Sequence, residues 1–252
     1  MLKIRIIPCM LFQNRTIVKS TRFGDYRMIG DPTTVARVFN QRNADELVFL
    51  DILASRQGNS PNFPVLESIA EECFMPLTIG GGISSLSDVD KLFRIGADKI
   101  SLNTAAVERP ELIQAASNKY GSQAVVISID AKKTNDGYKA FILGGTKETG
   151  YTPLELAKKA ESLGAGEIML NSIDRDGTME GYDLTLIREV AKGTSIPVIA
   201  LGGCGKLQDF VDAVKLAGAD AVSGASIFYF VGESIITAKD YMNKKGLPVR
   251  LI

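Results

Sequence analysis

The chain repeats itself, and no other feature restricts its fold as tightly. DELVFLDILASR at 45–56 aligns with GEIMLNSIDRDG at 166–177, and PLTIGGGISSLSDV at 76–89 aligns with PVIALGGCGKLQDF at 197–210, both at an offset of 121 residues. After one added residue, GADKISLNT at 96–104 aligns with GADAVSGAS at 218–226. Offsets of 121, 121 and 122 residues across three separated blocks mark a duplicated unit rather than chance likeness. Most of these blocks open on a short apolar run, reach glycine or a small polar residue, and pass into helical spacing, so the unit is strand followed by helix.

Eight such runs occur: KIRIIPC (3–9), ELVFLDI (46–52), PLTIG (76–80), KISLN (99–103), AVVISID (124–130), EIMLNSI (167–173), PVIAL (197–201) and AVSG (221–224). Apolar runs without strict polar alternation fit parallel strands covered on both faces. Between them, stretches such as DPTTVARVFNQRN, SLSDVDKLFRIG, PLELAKKAESLG and KLQDFVDAVKLAG place apolar residues at helical period. Parallel strands require right-handed crossovers, and eight units in 252 residues predict a single-domain α/β fold, a closed (β/α)8 TIM barrel. The duplication divides it into half-barrels of about 1–120 and 121–252. A doubly wound open sheet is the alternative arrangement.

Composition removes several functions. Lys and Arg number 29 against 29 Asp and Glu, so no basic excess exists to hold nucleic acid or an anionic membrane, and neither is expected as a partner. No signal-like start and no long apolar span are present, which predicts a cytoplasmic protein. Cys9, Cys73 and Cys204 show no CxxC spacing and read as buried reduced thiols rather than a zinc site. The chain has no histidine, so any proton transfer falls to carboxylates, lysines or tyrosines. No metal or cofactor is expected.

In a barrel, the strand C-termini and following loops form the reactive face. Each half offers a matching anion site there: Gly81, Gly82, Asn103 and Thr104 in one, Gly202, Gly203, Ala225 and Ser226 in the other. Glycine lets backbone N–H groups approach an oxyanion closely, and a Ser or Thr opening a helix adds a hydroxyl. Two such sites would hold a small molecule with a phosphate at each end; alternatively the glycines only make tight turns. Acidic candidates at strand ends are Asp51, Asp130, Asp174 and Asp176, with Lys19 in the first long loop. Asp174 also suits a turn, whereas Asp130 directly ends the apolar run VVISID.

With these motifs in view, the chain resembles HisF, the cyclase subunit family of imidazole glycerol phosphate synthase. RIIPC, GDP at 30–32, DELVFLDI, GGGI at 80–83, GADKISLNTAAV, GSQAVVISIDAK, GAGEI, SIDRDGTMEGYD, IPVIALGGCGK and GLPVRL carry the likeness over essentially the whole length. The resemblance implies phosphate binding at the positions above and at Asp176 and Gly177. It also implies a separate HisH-type glutaminase that delivers ammonia through the barrel. A charge ring guarding the opposite end corresponds to Arg5, Glu46, Lys99 and Glu167, and Asp98 corresponds to a contact with the glutaminase.

One departure matters. The family's two catalytic carboxylates end the first and fifth strands; the fifth is Asp130, but the first position is Leu11. Leucine cannot carry a proton, so ring closure on the usual substrate is expected to fail. Asn171 and Leu201 also read as altered pocket lining. Three functions follow as expectations. The first is a variant that passes ammonia to a sugar amidotransferase making acetamidino sugars for surface polysaccharide (O-antigen, lipopolysaccharide). The second is a histidine-pathway cyclase in which another acid, such as Asp174 or Asp176, stands in. The third is a non-catalytic activator of the glutaminase.

Overall fold

In the computed structural model, which describes residues 3–251, the eight runs form eight parallel strands. They are β1 (Arg5–Gln13), β2 (Leu47–Asp51), β3 (Leu77–Gly80), β4 (Lys99–Leu102), β5 (Val125–Thr134), β6 (Glu167–Ser172), β7 (Val198–Leu201) and β8 (Ala221–Gly224). Each pairs with the next; β8 closes on β1 through Arg5↔Ala221, and β5 meets β6 through Asp130↔Asn171. A ring without edges is a (β/α)8 TIM barrel, and it rules out the open sheet. Residues 1, 2 and 252, the outermost positions of the expected halves, lie outside the described residues.

Eight main helices follow the strands, and their starts are written locally. Asp31 accepts from the Thr34 N–H ahead of Pro32, and Ser85 with Asp88 and Thr152 with Glu155 form reciprocal capping boxes. Their apolar stripes face the outside of the barrel: Val89 and Leu92 from Leu86–Arg94 are fully buried, as are Ala157 and Ala160 from Pro153–Ser162. A second, smaller core fills the cylinder with Ile7, Val48, Val126, Met169, Ile199 and Ala221, one inward residue from each of six strands. No described helix is long and apolar enough to cross a membrane.

Two features correct the sequence reading. The first run does not stop at Cys9, and Lys19 does not lie in an open loop. Instead β1 continues to Gln13 and folds back as the strand Thr16–Thr21, pairing Leu11↔Val18 and Gln13↔Thr16, before a third strand, Gly24–Gly30. The turn uses Asn14 and Arg15, both at positive φ (48° and 71°), the twist that closes a two-residue hairpin. β5, the matching strand of the second half, likewise runs out to Thr134 and pairs with Gly137–Ile142. The mouth therefore carries one hairpin beside Leu11 and another beside Asp130. All three cysteines are free thiols, but Cys73 is only half-buried.

Candidate functional site

A cleft of about 1150 Å³, its open mouth included, sits over the C-terminal strand ends. Asp130 projects into it from β5 and is 8% exposed. Asn171 Nδ2 on β6 lies 3.4 Å from Asp130 Oδ1, and Asn103 Nδ2, just past β4, lies 3.4 Å from Oδ2. Burial pushes the Asp130 carboxyl up to about 7; the Asn171 amide opposes this and the nearby Asp176 charge adds to it. A carboxyl titrating there can both give and take a proton near neutrality.

Leu11, half-buried, lines the same cleft from β1. β1 and β5 lie four strands apart in a ring of eight, so Leu11 and Asp130 stand on opposite walls. The other acids do not replace the missing group. Asp176 is buried and ion-paired to Lys19 Nζ (2.9 Å), with Ser20 Oγ donating to it as well (3.0 Å). Asp51 accepts from the N–H groups of Leu53 and Ala54 (3.1 Å each), which makes it a cap for the short helix Ala54–Gln57; burial nonetheless raises its carboxyl from its ordinary value. Asp174 is not among the residues lining the cleft: it accepts from the Lys133 N–H (2.8 Å) on the outer side of the β5 hairpin. The structure thus brings Lys19, Asp51, Asp130, Asn171 and Asp176 to one cavity and leaves Asp174 out.

The expected anion loops also converge on this cleft. Gly81, Gly82, Asn103 and Thr104 line it from β3 and β4, and Gly202, Gly203, Ala225 and Ser226 from β7 and β8, directly across. Gly81 and Gly202 adopt φ of 102° and 88°, and a Cβ there would run into the Asp51 carbonyl and the Asn171 side chain respectively. Glycine is therefore required by the backbone alone, which is the turn reading; anion binding would exploit N–H groups that this conformation already exposes. Thr104 Oγ1 accepts from the Leu143 N–H (3.1 Å), and Asn103 Nδ2 also donates to the Ser128 carbonyl (3.0 Å), so both brace the β5 hairpin. Gly177 has φ 73° and lies where a Cβ would strike the Ser20 carbonyl, so the β1 hairpin rests on the loop after β6.

At the other end of the cylinder four charges close a ring. Arg5 pairs with Glu46 (2.7 Å) and Glu167 (2.5 Å), and Lys99 pairs with the same two acids (3.0 and 2.8 Å). Thr78 Oγ1 donates to Glu46 (2.7 Å). Cations and anions alternate, so the ring is neutral and each acid is shared. In the lining of the cleft, Ser101 Oγ, Ser223 Oγ and Asn171 Oδ1 are buried without a hydrogen-bond partner among the described residues. Asp98, exposed beside the ring, spends one oxygen on the Leu77 N–H (2.8 Å). Asp45 and Asp220 make the same clamp on Ile6 and Val198, a structural duty that its position already explains.

Sequence reasoning missed Leu50, Ser101, Ser128 and Ser223, which also line the cleft. The signal was available: they continue the inward alternation Glu46-Val48-Leu50, Lys99-Ser101, Val126-Ser128 and Ala221-Ser223.

A family model described as "Histidine biosynthesis protein" matches residues 5–232. Curated relatives named imidazole glycerol phosphate synthase subunit HisF, from Clostridium botulinum strains 657 (type Ba4) and Okra (type B1), are each 47% identical over 253 aligned residues, covering 100% of this chain and of theirs.

Proposed function

The chain belongs to the histidine biosynthesis protein family as a HisF-type member, and from that premise we propose that it is a synthase subunit of a glutamine amidotransferase complex whose ammonia is not used for imidazole ring closure. A HisH-type glutaminase docks beside Asp98 at the bottom of the barrel. Ammonia enters through the ring of Arg5, Glu46, Lys99 and Glu167 and rises through the barrel interior into the cleft, where Ser101 and Ser223 line the wall. The ring is neutral, so parting it exposes no net charge to a neutral nucleophile. The unpaired acceptors Ser101 Oγ, Ser223 Oγ and Asn171 Oδ1 offer hydrogen bonds to N–H groups on the way.

The observation that carries this reading is Leu11. Ring closure requires protons to be moved on both sides of the substrate, yet Asp130 faces a leucine, and the remaining carboxylates are held by Lys19 and by backbone N–H groups. The gate and the paired glycine loops are intact while one proton carrier is gone. Ammonia then serves another acceptor: a sugar amidotransferase at the mouth, converting an acetamido sugar of surface polysaccharide to an acetamidino sugar. Phosphorylated ligands bound at the two glycine loops report or regulate that state.

Asp130 favours a second reading. Raised to about 7, it is poised for both proton steps, and the relatives at 47% identity are named as imidazole glycerol phosphate synthase subunits. Mixing the protein with a HisH-type glutaminase, glutamine and the histidine-pathway intermediate separates the two. Stimulated glutamine hydrolysis without imidazole glycerol phosphate supports relay; its release supports the cyclase. Stimulation with no transfer to any sugar acceptor leaves a pure activator of the glutaminase.

A further inference from the structure

We infer that the cleft selects a doubly anionic ligand with one polar and one apolar edge, and that Leu11 and Leu50 set this selectivity. The inference rests on the two anion loops proposed above. Around the ring those loops occupy β3–β4 and β7–β8, so a ligand spanning them lies across the mouth with its two flanks against the strands left over. One flank is β5–β6, where Asp130 and Asn171 offer a carboxyl and an amide. The other is β1–β2, where Asp51 is engaged by the Leu53 and Ala54 N–H groups and Lys19 by Asp176, and where Leu11 and Leu50 are register partners on adjacent strands that pack on the interior apolar cluster that includes Cys9 and Leu201.

A hydroxyl placed against that leucine wall gives up its hydrogen bonds to water and gains none. A methylene or methyl placed there gains roughly fourfold in affinity for each CH2 removed from water. A polyhydroxylated open-chain bisphosphate therefore fits poorly on the β1–β2 flank. A ligand whose carbon frame is alkyl, deoxy or N-acylated on that side fits well.

The test compares two ring-bearing bisphosphates by calorimetry: cyclohexane-1,4-dimethanol bisphosphate, which is apolar in the middle, and fructose 1,6-bisphosphate, which is hydroxylated. Inorganic phosphate is the control. The full-length protein is expected to bind the cyclohexane compound at least about tenfold more tightly, and Leu11→Asn to shrink that ratio by about fivefold or more. Leu11 is half-buried, so this variant is expected to fold; Leu50→Thr provides an independent second reading of the same wall. Equal affinity, a preference for fructose bisphosphate, or a ratio that neither substitution moves would overturn the inference and leave the anion loops standing. Binding of inorganic phosphate without either bisphosphate would overturn the crossing geometry. Failure of all three ligands would overturn the anion-loop reading together with the inference.

Discussion

Leu11 and Asp130 face one cleft from opposite walls of the barrel, each at the same place in its half, where the strand leaves the barrel and turns into a hairpin. One can carry a proton and the other cannot. Replacing Leu11 by Asp should restore a second carrier. Imidazole glycerol phosphate formation from the histidine-pathway intermediate is then expected to rise by at least about 100-fold over the parent, the usual scale for a single general acid or base. Product release followed by chromatography measures it, and a rate unchanged from the parent would show that more than this carboxylate has been lost.

The buried Asp130 also predicts a pH signature. Its carboxyl titrates near ~3.9 when unfolded and at about 7 when folded, so the native state holds the proton more tightly. Stability is therefore lost as pH rises from about 4 to about 7, and the full loss persists above that. Asp130→Asn removes this loss. The variant should melt with the parent near pH 4 and be more stable at pH 8, by up to about 4 kcal/mol. Thermal melts across that range decide it; a variant less stable than the parent at pH 8 contradicts the raised value.

The charge ring should reveal itself in stability. Glu46 is 2% exposed and takes bonds from Arg5, Lys99 and Thr78. Glu46→Ala leaves two cations sharing Glu167 and strands the buried Thr78 hydroxyl, so a loss of about 3–5 kcal/mol is expected in urea unfolding. A loss below about 1 kcal/mol would mean the four charges are not held together in solution.

Lys19 and Asp176 tie the β1 hairpin to the loop after β6, helped by Ser20 Oγ and by the Arg22 N–H donating to the Asp176 carbonyl (2.8 Å). Asp176→Asn removes the charge that Lys19 is paired with and should loosen the hairpin. Trypsin cleavage after Arg22 or Arg27 is expected to quicken several-fold, with the rest of the barrel resisting. Unchanged cleavage would show that backbone contacts alone hold the hairpin.

How much of this was legible in the sequence depends on the range of the interaction involved. The barrel was readable because its strands are continuous apolar runs and because the duplication repeats their spacing. The two glycine pairs were readable for the same reason. The hairpin after β1 was hidden: its turns use Asn14, Arg15, Arg22 and Phe23 at positive φ, with no glycine at those positions to mark them. The duties of Asp174 and Asp176 were equally hidden, although they sit two residues apart. Which of them reaches Lys19 is decided by how the chain turns after β6, and the pairing spans 157 positions of sequence. Asn103 was legible as a strand-end candidate for anion binding but not as a brace for Asp130, because that contact crosses from one strand end to the next.

Ring closure supplied with ammonium salt instead of a glutaminase tests the relay reading most directly, because no partner or gate then limits the reaction. With the unaltered protein, the histidine-pathway intermediate and saturating ammonium at about pH 8.5, the expected result is no imidazole glycerol phosphate above the uncatalysed background. Sustained turnover under those conditions would contradict it and return the chain to the histidine pathway.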